Sequence, residues 1–306
     1  MSTPSPFVWA LCTIALVGGI LNCNVIYTFC KKKKQNRSNA DRLILSLAFA
    51  DIIFCLGIMV ANVVQICGWC LPYQPVEVYF FLSQGTSICA SLMNIMGITI
   101  DRLVAVVCPI RYKNGYISSK SLNLAIIAIW AFSCLVASTQ FWLPLYVIDI
   151  FVSSMIFLAF ASATTVYIII GRSVYKSAVA LKTESKEMCK RVLESRNMIY
   201  MCAFLTLAFF CCNAPFIITN LYLDITDGVW TVTTAQIIYS LLTMNCIIDA
   251  LLYSFAGRVI KLFKRRTIKR RNTQSSYDKQ LILSQVHPSN HMLADKNGYT
   301  DKTRVL

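Results

Sequence analysis

The 306-residue sequence is 57% hydrophobic and only 14% charged, with a mean hydropathy of +0.59. Because a soluble domain carries about 25% charged residues, this composition excludes an ordinary soluble protein and indicates a membrane protein. The net charge of +15 does not indicate a nucleic-acid partner, because the basic residues are confined to loops, helix ends and the carboxyl-terminal tail. We therefore expect no nucleic-acid binding.

Apolar stretches long enough to cross a bilayer recur along the chain. A bilayer core requires about 20 apolar residues per helix. Seven stretches reach this length: 7–30, 43–66, 77–107, 122–145, 149–174, 197–222 and 231–256. In lipid, only helices of this kind satisfy their own backbone hydrogen bonds. The sequence therefore predicts an all-α membrane protein built as a seven-transmembrane helix bundle.

The 29 Lys and Arg residues predict the orientation of this bundle. All of them lie in four segments: 31–42, 102–120, 172–196 and 258–304. The segments on the other side contain none: 1–7, 67–76, 145–149 and 223–230. Because cytoplasmic loops are the ones enriched in Lys and Arg, we expect a plasma-membrane protein with its amino terminus outside and its carboxyl terminus in the cytoplasm.

The chain divides into four predicted parts. Residues 1–6 form a short extracellular amino terminus, and residues 7–256 form the seven-span domain. In residues 257–271, apolar residues recur at helical spacing between basic ones, which predicts a short amphipathic eighth helix on the inner leaflet. Its basic cluster predicts binding to anionic inner-leaflet lipids. The polar tail, 272–306, is predicted to be disordered.

Ionisable residues inside the spans are few, and they are functional candidates because burying them in a membrane is costly. Away from the span ends they are Asp51, the Asp101–Arg102 pair and Asp249. The sequence has no P-loop, no zinc-ligand spacing and no H-E-x-x-H motif. We therefore expect a protein that is not an enzyme.

Short motifs occur in the spans in a fixed order. They are Asn22-x-x-Val25, the L-x-x-x-D run from Leu47 to Asp51, Asp101-Arg102-Leu103 with Pro109 and Tyr112, Trp130, Tyr167, Phe209 with Cys212 and Pro215, and Asp249-Ala250-Leu251-Leu252-Tyr253. In order and spacing this series resembles the rhodopsin-like (class A) G-protein-coupled receptors over about residues 15–265. The resemblance implies a receptor whose partners are a small extracellular ligand and a heterotrimeric G protein.

The resemblance also implies which residues transmit activation. In the family, the arginine at the position of Arg102 holds the inactive bundle closed and then contacts the G protein. The implied activation residues are Asp101, Arg102, Tyr167, Phe209, Pro215 and Tyr253. The acidic residue that restrains this arginine from the sixth span has its nearest counterpart in Glu194, one residue early. One residue is about 100° of helix rotation, so we expect a weaker restraint and constitutive signalling. The alternative is that Asp101 alone restrains Arg102.

A buried sodium site is implied in the middle of the bundle. Its residues are Asp51, Ser91, Asn245 and Asp249. Sodium favours hard oxygen ligands of this kind. The alternative is a plain hydrogen-bond network between helices. No other cofactor is expected.

A ligand cavity open to the outside is implied at the other end of the spans. Its expected residues are Asn62, Glu77, Gln84, Ile88, Asn213, Phe216, Asn220 and Tyr239. Acidic residues lie near its rim, namely Glu77, Asp149, Asp224 and Asp227. With no Lys or Arg at this end to pair with an anion, we expect a neutral or cationic ligand.

Two ligand classes of the family are not expected. Amine receptors carry a carboxylate in the third span, and that position is Gln84 here. Opsins carry a lysine in the seventh span, and that position is Thr243. Amine and retinal ligands are therefore excluded by these two positions.

Several positions depart from the family pattern. Asn213 stands where the sixth span usually has tryptophan, Ala159 and Ala250 replace prolines, and Glu77 replaces a cysteine. Together with a short second outer loop and the run Asn245–Asp249, these departures resemble the melanocortin-receptor branch. They also leave an alternative function open, a seven-helix interaction or scaffold protein that has lost its ligand response.

Overall fold

The computed structural model describes residues 6–33, 37–67, 73–115, 117–180, 186–226 and 228–254. These residues form eight α-helices: α1 (Pro6–Lys31), α2 (Asn39–Cys67), α3 (Tyr73–Val107), α4 (Pro109–Lys113), α5 (Ser119–Ser138), α6 (Leu145–Ala180), α7 (Lys186–Thr226) and α8 (Val232–Ser254). All except the short α4 contain a span long and apolar enough to cross a membrane. The described residues contain no strand, and the predicted seven-helix membrane fold is confirmed.

Several helices extend beyond the apolar stretches that predicted them. The predicted span 43–66 belongs to a helix that begins at Asn39, and the predicted span 197–222 belongs to one that begins at Lys186. A helix ends where its backbone groups are capped rather than where its hydropathy falls. At α2 the cap is reciprocal: the Asp41 amide donates to Ser38 Oγ, and the Ser38 amide donates to the Asp41 carboxylate.

Apolar side chains remain exposed along the spans. On α6, Phe157 is 71% and Leu158 is 66% exposed, and only 17% of the most apolar window of this helix is buried. Large apolar patches of this extent are not stable against water, whereas lipid accommodates them. The chain is therefore a multi-pass membrane protein. The predicted eighth helix (257–271) and tail (272–306) lie outside the described residues.

The interface between α2 and α3 is closely packed around Gly57. A Cβ atom built on Gly57 would lie 2.6 Å from Gln84 Nε2 and closer still to Ser83 Oγ. Gly57 therefore lets the backbone of α2 approach α3, and this approach brings Gln84 Nε2 to 3.2 Å from the Phe54 carbonyl oxygen. Small residues serve the same purpose at many membrane helix interfaces.

Polar contacts join the helix ends that carry Lys31, Arg42 and Arg102, which we call the basic end. Lys32 forms an ion pair with Asp41, and Tyr253 donates to the other oxygen of the same carboxylate at 3.3 Å. These contacts connect α1, α2 and α8 at one point. The opposite end, which carries Glu77, Asp149 and Asp224, is called the acidic end.

Candidate functional site

Two neighbouring cavities lie at the acidic end. The α6 cavity has a volume of about 530 Å³ and is bordered by Asp149. The α2 cavity has a volume of about 720 Å³ and is bordered by Asn62 of α2. Residues of α3, of α8 and of the connection that precedes α8 line both of them: Phe80, Phe81, Trp230, Ala235 and Tyr239.

The predicted ligand-binding residues are divided between these cavities. Asn62 and Glu77 line the α2 cavity, whereas Gln84, Ile88, Phe216 and Asn220 line the α6 cavity, and Tyr239 lines both. A drug-sized ligand needs about 300–1,000 Å³, so either cavity is large enough for one.

Asn213 lies outside the described linings of both cavities. It is 2% exposed, and its Nδ2 donates to the Phe209 carbonyl oxygen of its own helix at 2.7 Å. Its Oδ1 has no hydrogen-bond partner among the described residues. The side chain is folded back along α7, whereas Phe216, about one turn nearer the acidic end, reaches the α6 cavity.

The polar groups of the α6 cavity are incompletely paired. Asn220 Nδ2 donates to Asp149 Oδ1 at 3.1 Å, which connects α7 to α6. Gln84 Nε2 is bonded to the Phe54 carbonyl, but Gln84 Oε1 has no partner among the described residues. Gln140 Nε2 is likewise buried without a partner there. A buried polar group without a partner costs about 1–3 kcal/mol, so these atoms favour a bound molecule or water.

The four residues of the implied sodium site form two hydrogen-bonded pairs, one between α2 and α3 and one within α8. Ser91 Oγ donates to Asp51 Oδ1 at 3.5 Å, and Asn245 Nδ2 donates to Asp249 Oδ2 at 3.1 Å. The two carboxylates interact electrostatically, and the Cys246 thiol also contacts Asp51. None of the four side chains is more than 4% exposed.

Unpaired oxygens remain at the centre of this group. Among the described residues, Asp51 Oδ2, Asp249 Oδ1 and Asn245 Oδ1 are buried without a hydrogen-bond partner. Two carboxylates without a basic partner repel each other, and hard oxygens are the ligands that sodium prefers. The donor set therefore fits a sodium ion. The described part of the chain contains no cluster of three or more His, Cys, Asp or Glu that could hold a metal ion.

At the basic end, Arg102 is held by residues close to it in sequence. Its guanidinium forms a buried ion pair with Asp101, and its Nη2 donates to the Tyr112 hydroxyl at 3.1 Å. The Tyr112 hydroxyl in turn donates to Asp101 Oδ1 at 3.2 Å. Burial raises the pKa of Tyr112 above its ordinary value, so the hydroxyl keeps the proton that it donates. These three side chains form a closed network between α3 and α4.

Tyr167 connects three helices on the cavity side of this network. Its hydroxyl lies 3.3 Å from Thr99 Oγ1 of α3 and 3.2 Å from Thr206 Oγ1 of α7. Phe209, one turn beyond Thr206, is 1% exposed and is among the largest fully buried side chains of the chain's described part. Pro215 interrupts the hydrogen-bond ladder inside α7 without ending the helix.

Comparisons with known proteins support the same family. Residues 21–144 match the family model of the 7 transmembrane receptor (rhodopsin family). This segment includes Asp51, Ser91, Asp101 and Arg102. Over this segment the chain is similar to rhodopsin-like G-protein-coupled receptors.

Several relatives in this family are dopamine receptors. The Dopamine D2-like receptor of Drosophila melanogaster is 31% identical over 137 residues, covering 42% of this chain and 14% of the relative. Dopamine receptor 4 of Caenorhabditis elegans is 30% identical over 144 residues, covering 44% of this chain and 27% of the relative. The D(2) dopamine receptor A of Xenopus laevis is 27% identical over 123 residues, covering 39% of this chain and 26% of the relative.

These relatives do not support the placement in the melanocortin-receptor branch. That placement was based on a missing tryptophan, a missing cysteine, missing prolines, a short second outer loop and the run Asn245–Asp249. The matched regions span less than a third of each relative's length.

Sequence reasoning missed several partners of the rhodopsin-like motif residues. Thr99 and Thr206 were not singled out, although each lies three residues before a motif residue, Arg102 and Phe209, and therefore on a similar helix face. The contact of Tyr253 with Asp41 and the lining by Trp230 were also missed. No local pattern indicates these last two, because they depend on how distant helices pack.

Proposed function

We propose that this protein is a G-protein-coupled receptor that transmits the binding of a small extracellular ligand, neutral or cationic, to a heterotrimeric G protein. The observation that carries the proposal is the buried network of Arg102, Asp101 and Tyr112, which lies in the segment matching the family. The ligand would bind in the cavities of the acidic end, on the opposite side of the bundle from Arg102.

The proposed orientation places the acidic end outside the cell. It is supported by the 29 basic residues, which all lie in segments of the other side or the tail. The proposed location is the plasma membrane. Anionic inner-leaflet lipids are the proposed partners of residues 257–271.

The proposal includes raised basal activity, and the alternative is that Asp101 alone restrains Arg102. The hydrogen bonds that Arg102 makes among the described side chains run to Asp101 and Tyr112, both on elements adjacent in sequence. Such contacts keep Arg102 in place but do not hold α7 against α3. The structure does not describe the side chain of Glu194. Because inactive and active states differ by only a few kcal/mol, a weak restraint on α7 raises the active fraction.

Nucleotide exchange on a panel of purified G proteins tests this function. We expect the receptor in lipid nanodiscs to accelerate exchange without added ligand, and Arg102→Ala to abolish the acceleration. Arg111→Ala removes the same side chain from an exposed position on α4 and serves as the matched control.

A wild-type receptor that is folded and inserted yet indistinguishable from Arg102→Ala on every G protein would contradict constitutive signalling. It would favour the scaffold alternative. One observation already points in that direction: Asn213, at the position of the usual tryptophan, lies outside the described linings of both cavities and bonds only its own helix.

The proposal includes an allosteric sodium ion between Asp51 and Asp249. A bound sodium ion would supply the positive charge that the two buried carboxylates lack. Replacing N-methylglucamine by sodium at equal ionic strength should then raise the free energy of unfolding by about 1–3 kcal/mol, the range expected for a ligand well above its Kd.

The sodium effect is checked by thermal unfolding of the purified receptor in both salts. In Asp51→Asn the unfolding midpoint should no longer depend on sodium, because a ligand and a charge are lost. Asp224→Asn, which removes an exposed carboxylate, should retain the dependence. A sodium shift that survives Asp51→Asn would assign these residues to a plain interhelical network.

A further inference from the structure

The α6 cavity contains a carboxylate without a cationic partner. Asp149 is half-buried, and its Oδ1 accepts from Asn220 Nδ2 at 3.1 Å. None of the described residues that line the cavity is Lys or Arg. No ion pair involves Asp149 within the described part of the chain. A partly buried carboxylate in this position favours a positive charge beside it.

A second carboxylate strengthens the negative potential at the same place. Asp224 of α7 interacts electrostatically with Asp149 although it does not line the cavity. Two like charges near one opening attract a cation more strongly than either alone. The mouth of the cavity is therefore selective for positively charged molecules and disfavours anions.

Aromatic side chains also line the cavity. Phe216 and Trp230 lie with their ring centroids 6.2 Å apart, and Phe80 and Tyr239 pack edge to face at 5.3 Å. Aromatic faces bind apolar groups and attract organic cations through their quadrupoles. An inorganic ion needs several oxygen ligands, and these rings do not provide them.

A buried acceptor completes the site. Gln84 is 5% exposed, and its Oε1 has no hydrogen-bond partner among the described residues although the side chain lines the cavity. An amide oxygen in this state accepts a hydrogen bond from an O–H or N–H group of a bound molecule. Asp149 and Gln84 thus provide two distinct polar contacts, one for a charge and one for a neutral donor.

We propose that the α6 cavity binds a small organic monocation, a protonated amine with an aromatic or apolar body, whose charged group pairs with Asp149. The body lies among the rings of Phe216, Trp230 and Tyr239, and Gln84 accepts a hydrogen bond from the ligand. This proposal departs from the exclusion of amines that the sequence suggested through Gln84, because the carboxylate of the cavity comes from Asp149 of α6 and not from the third span. This inference rests on the proposed receptor function and specifies its ligand class.

Direct binding to the full-length receptor in nanodiscs tests the inference. The probes are 2-phenylethylamine and tryptamine, with 2-phenylethanol and tryptophol as neutral counterparts of the same shape. Affinities are measured by calorimetry or by saturation-transfer NMR in the absence of any G protein. We expect both amines to bind more tightly than their alcohols, by about tenfold for a close charge pair.

Two carboxylate variants distinguish direct pairing of the amine with Asp149 from a general effect of negative charge near the cavity. Asp149→Asn preserves the size of the side chain and should weaken amine binding about tenfold while leaving alcohol binding nearly unchanged. Asp224→Asn removes the same charge from outside the cavity and should weaken amine binding by no more than about twofold, because exposed charges are screened.

Equal binding of amine and alcohol, undiminished amine binding by Asp149→Asn, or no amine binding by the wild-type receptor would each overturn the inference. These results do not depend on nucleotide exchange. A receptor that activates a G protein but ignores amines keeps the proposed function and loses this ligand class. A protein that binds amines through Asp149 without promoting nucleotide exchange keeps this ligand class and loses the proposed receptor function.

Discussion

Gly57→Ala should destabilise the bundle even though alanine is the better helix former. The added Cβ would collide with Ser83 Oγ and approach Gln84 Nε2 to 2.6 Å, and Ser83 Cβ lies only 3.1 Å away. Rotation about χ1 can move Ser83 Oγ away at the cost of its hydrogen bond to the Phe80 carbonyl oxygen, but Ser83 Cβ can move only if α3 shifts. Overpacking of this kind costs about 1–3 kcal/mol, against a gain of about 1 kcal/mol in helix propensity.

The measurement is the thermal unfolding midpoint of purified protein together with the amount that reaches the cell surface. Gly19→Ala is the matched control, because a Cβ there meets nothing closer than Cys55 Cβ at 3.9 Å. This control should be as stable as the wild type or slightly more stable. If Gly57→Ala matches Gly19→Ala in both measurements, the close approach of α2 to α3 is not required.

Asp101→Ala should be the most damaging single change at the basic end. The Arg102 side chain is only 12% exposed, and its guanidinium would lose its carboxylate partner while remaining buried. Removing one partner of a buried ion pair costs about 3–5 kcal/mol, mostly because the other charge stays uncompensated. Tyr112→Phe removes only a hydroxyl and should cost about 1 kcal/mol.

The double variant Asp101→Ala/Arg102→Ala tests whether Asp101→Ala is destabilised by the uncompensated charge of Arg102. Because it leaves no unpaired charge, it should unfold at a higher temperature than Asp101→Ala alone. The comparison uses the same unfolding assay, with surface expression as a second readout. A double variant less stable than the single one would show that the two side chains stabilise the protein independently, rather than as a pair.

The sequence was sufficient to predict the bundle because a bilayer makes length and hydropathy decisive. Each apolar stretch had to be a helix. The basic segments 102–120 and 172–196 marked where the spans next to them end. The predicted starts of α2 and α7 fell several residues late. Polar turns outside the hydrocarbon, such as the Ser38–Asp41 cap, extend a helix without raising its hydropathy.

Candidate residues for the site could be predicted from the sequence, but their contacts could not. Motif spacing identified Arg102, Tyr167 and Tyr253, yet it did not indicate that Thr99 and Thr206 would flank one hydroxyl. Those contacts depend on the rotation of each helix about its axis, which hydropathy does not determine when lipid and neighbouring helices are both apolar. For the same reason the predicted lining residues divided between two cavities and Asn213 turned away from both.

The bond from Asn22 to the Cys246 carbonyl joins residues 224 positions apart. One N–H of this amide donates to the Gly18 carbonyl oxygen within its own turn, and the other donates to the Cys246 carbonyl oxygen across the bundle. The first span therefore completes its buried hydrogen bonds only when the last span packs against it. Asn22 thus couples the stability of one end of the chain to the presence of the other.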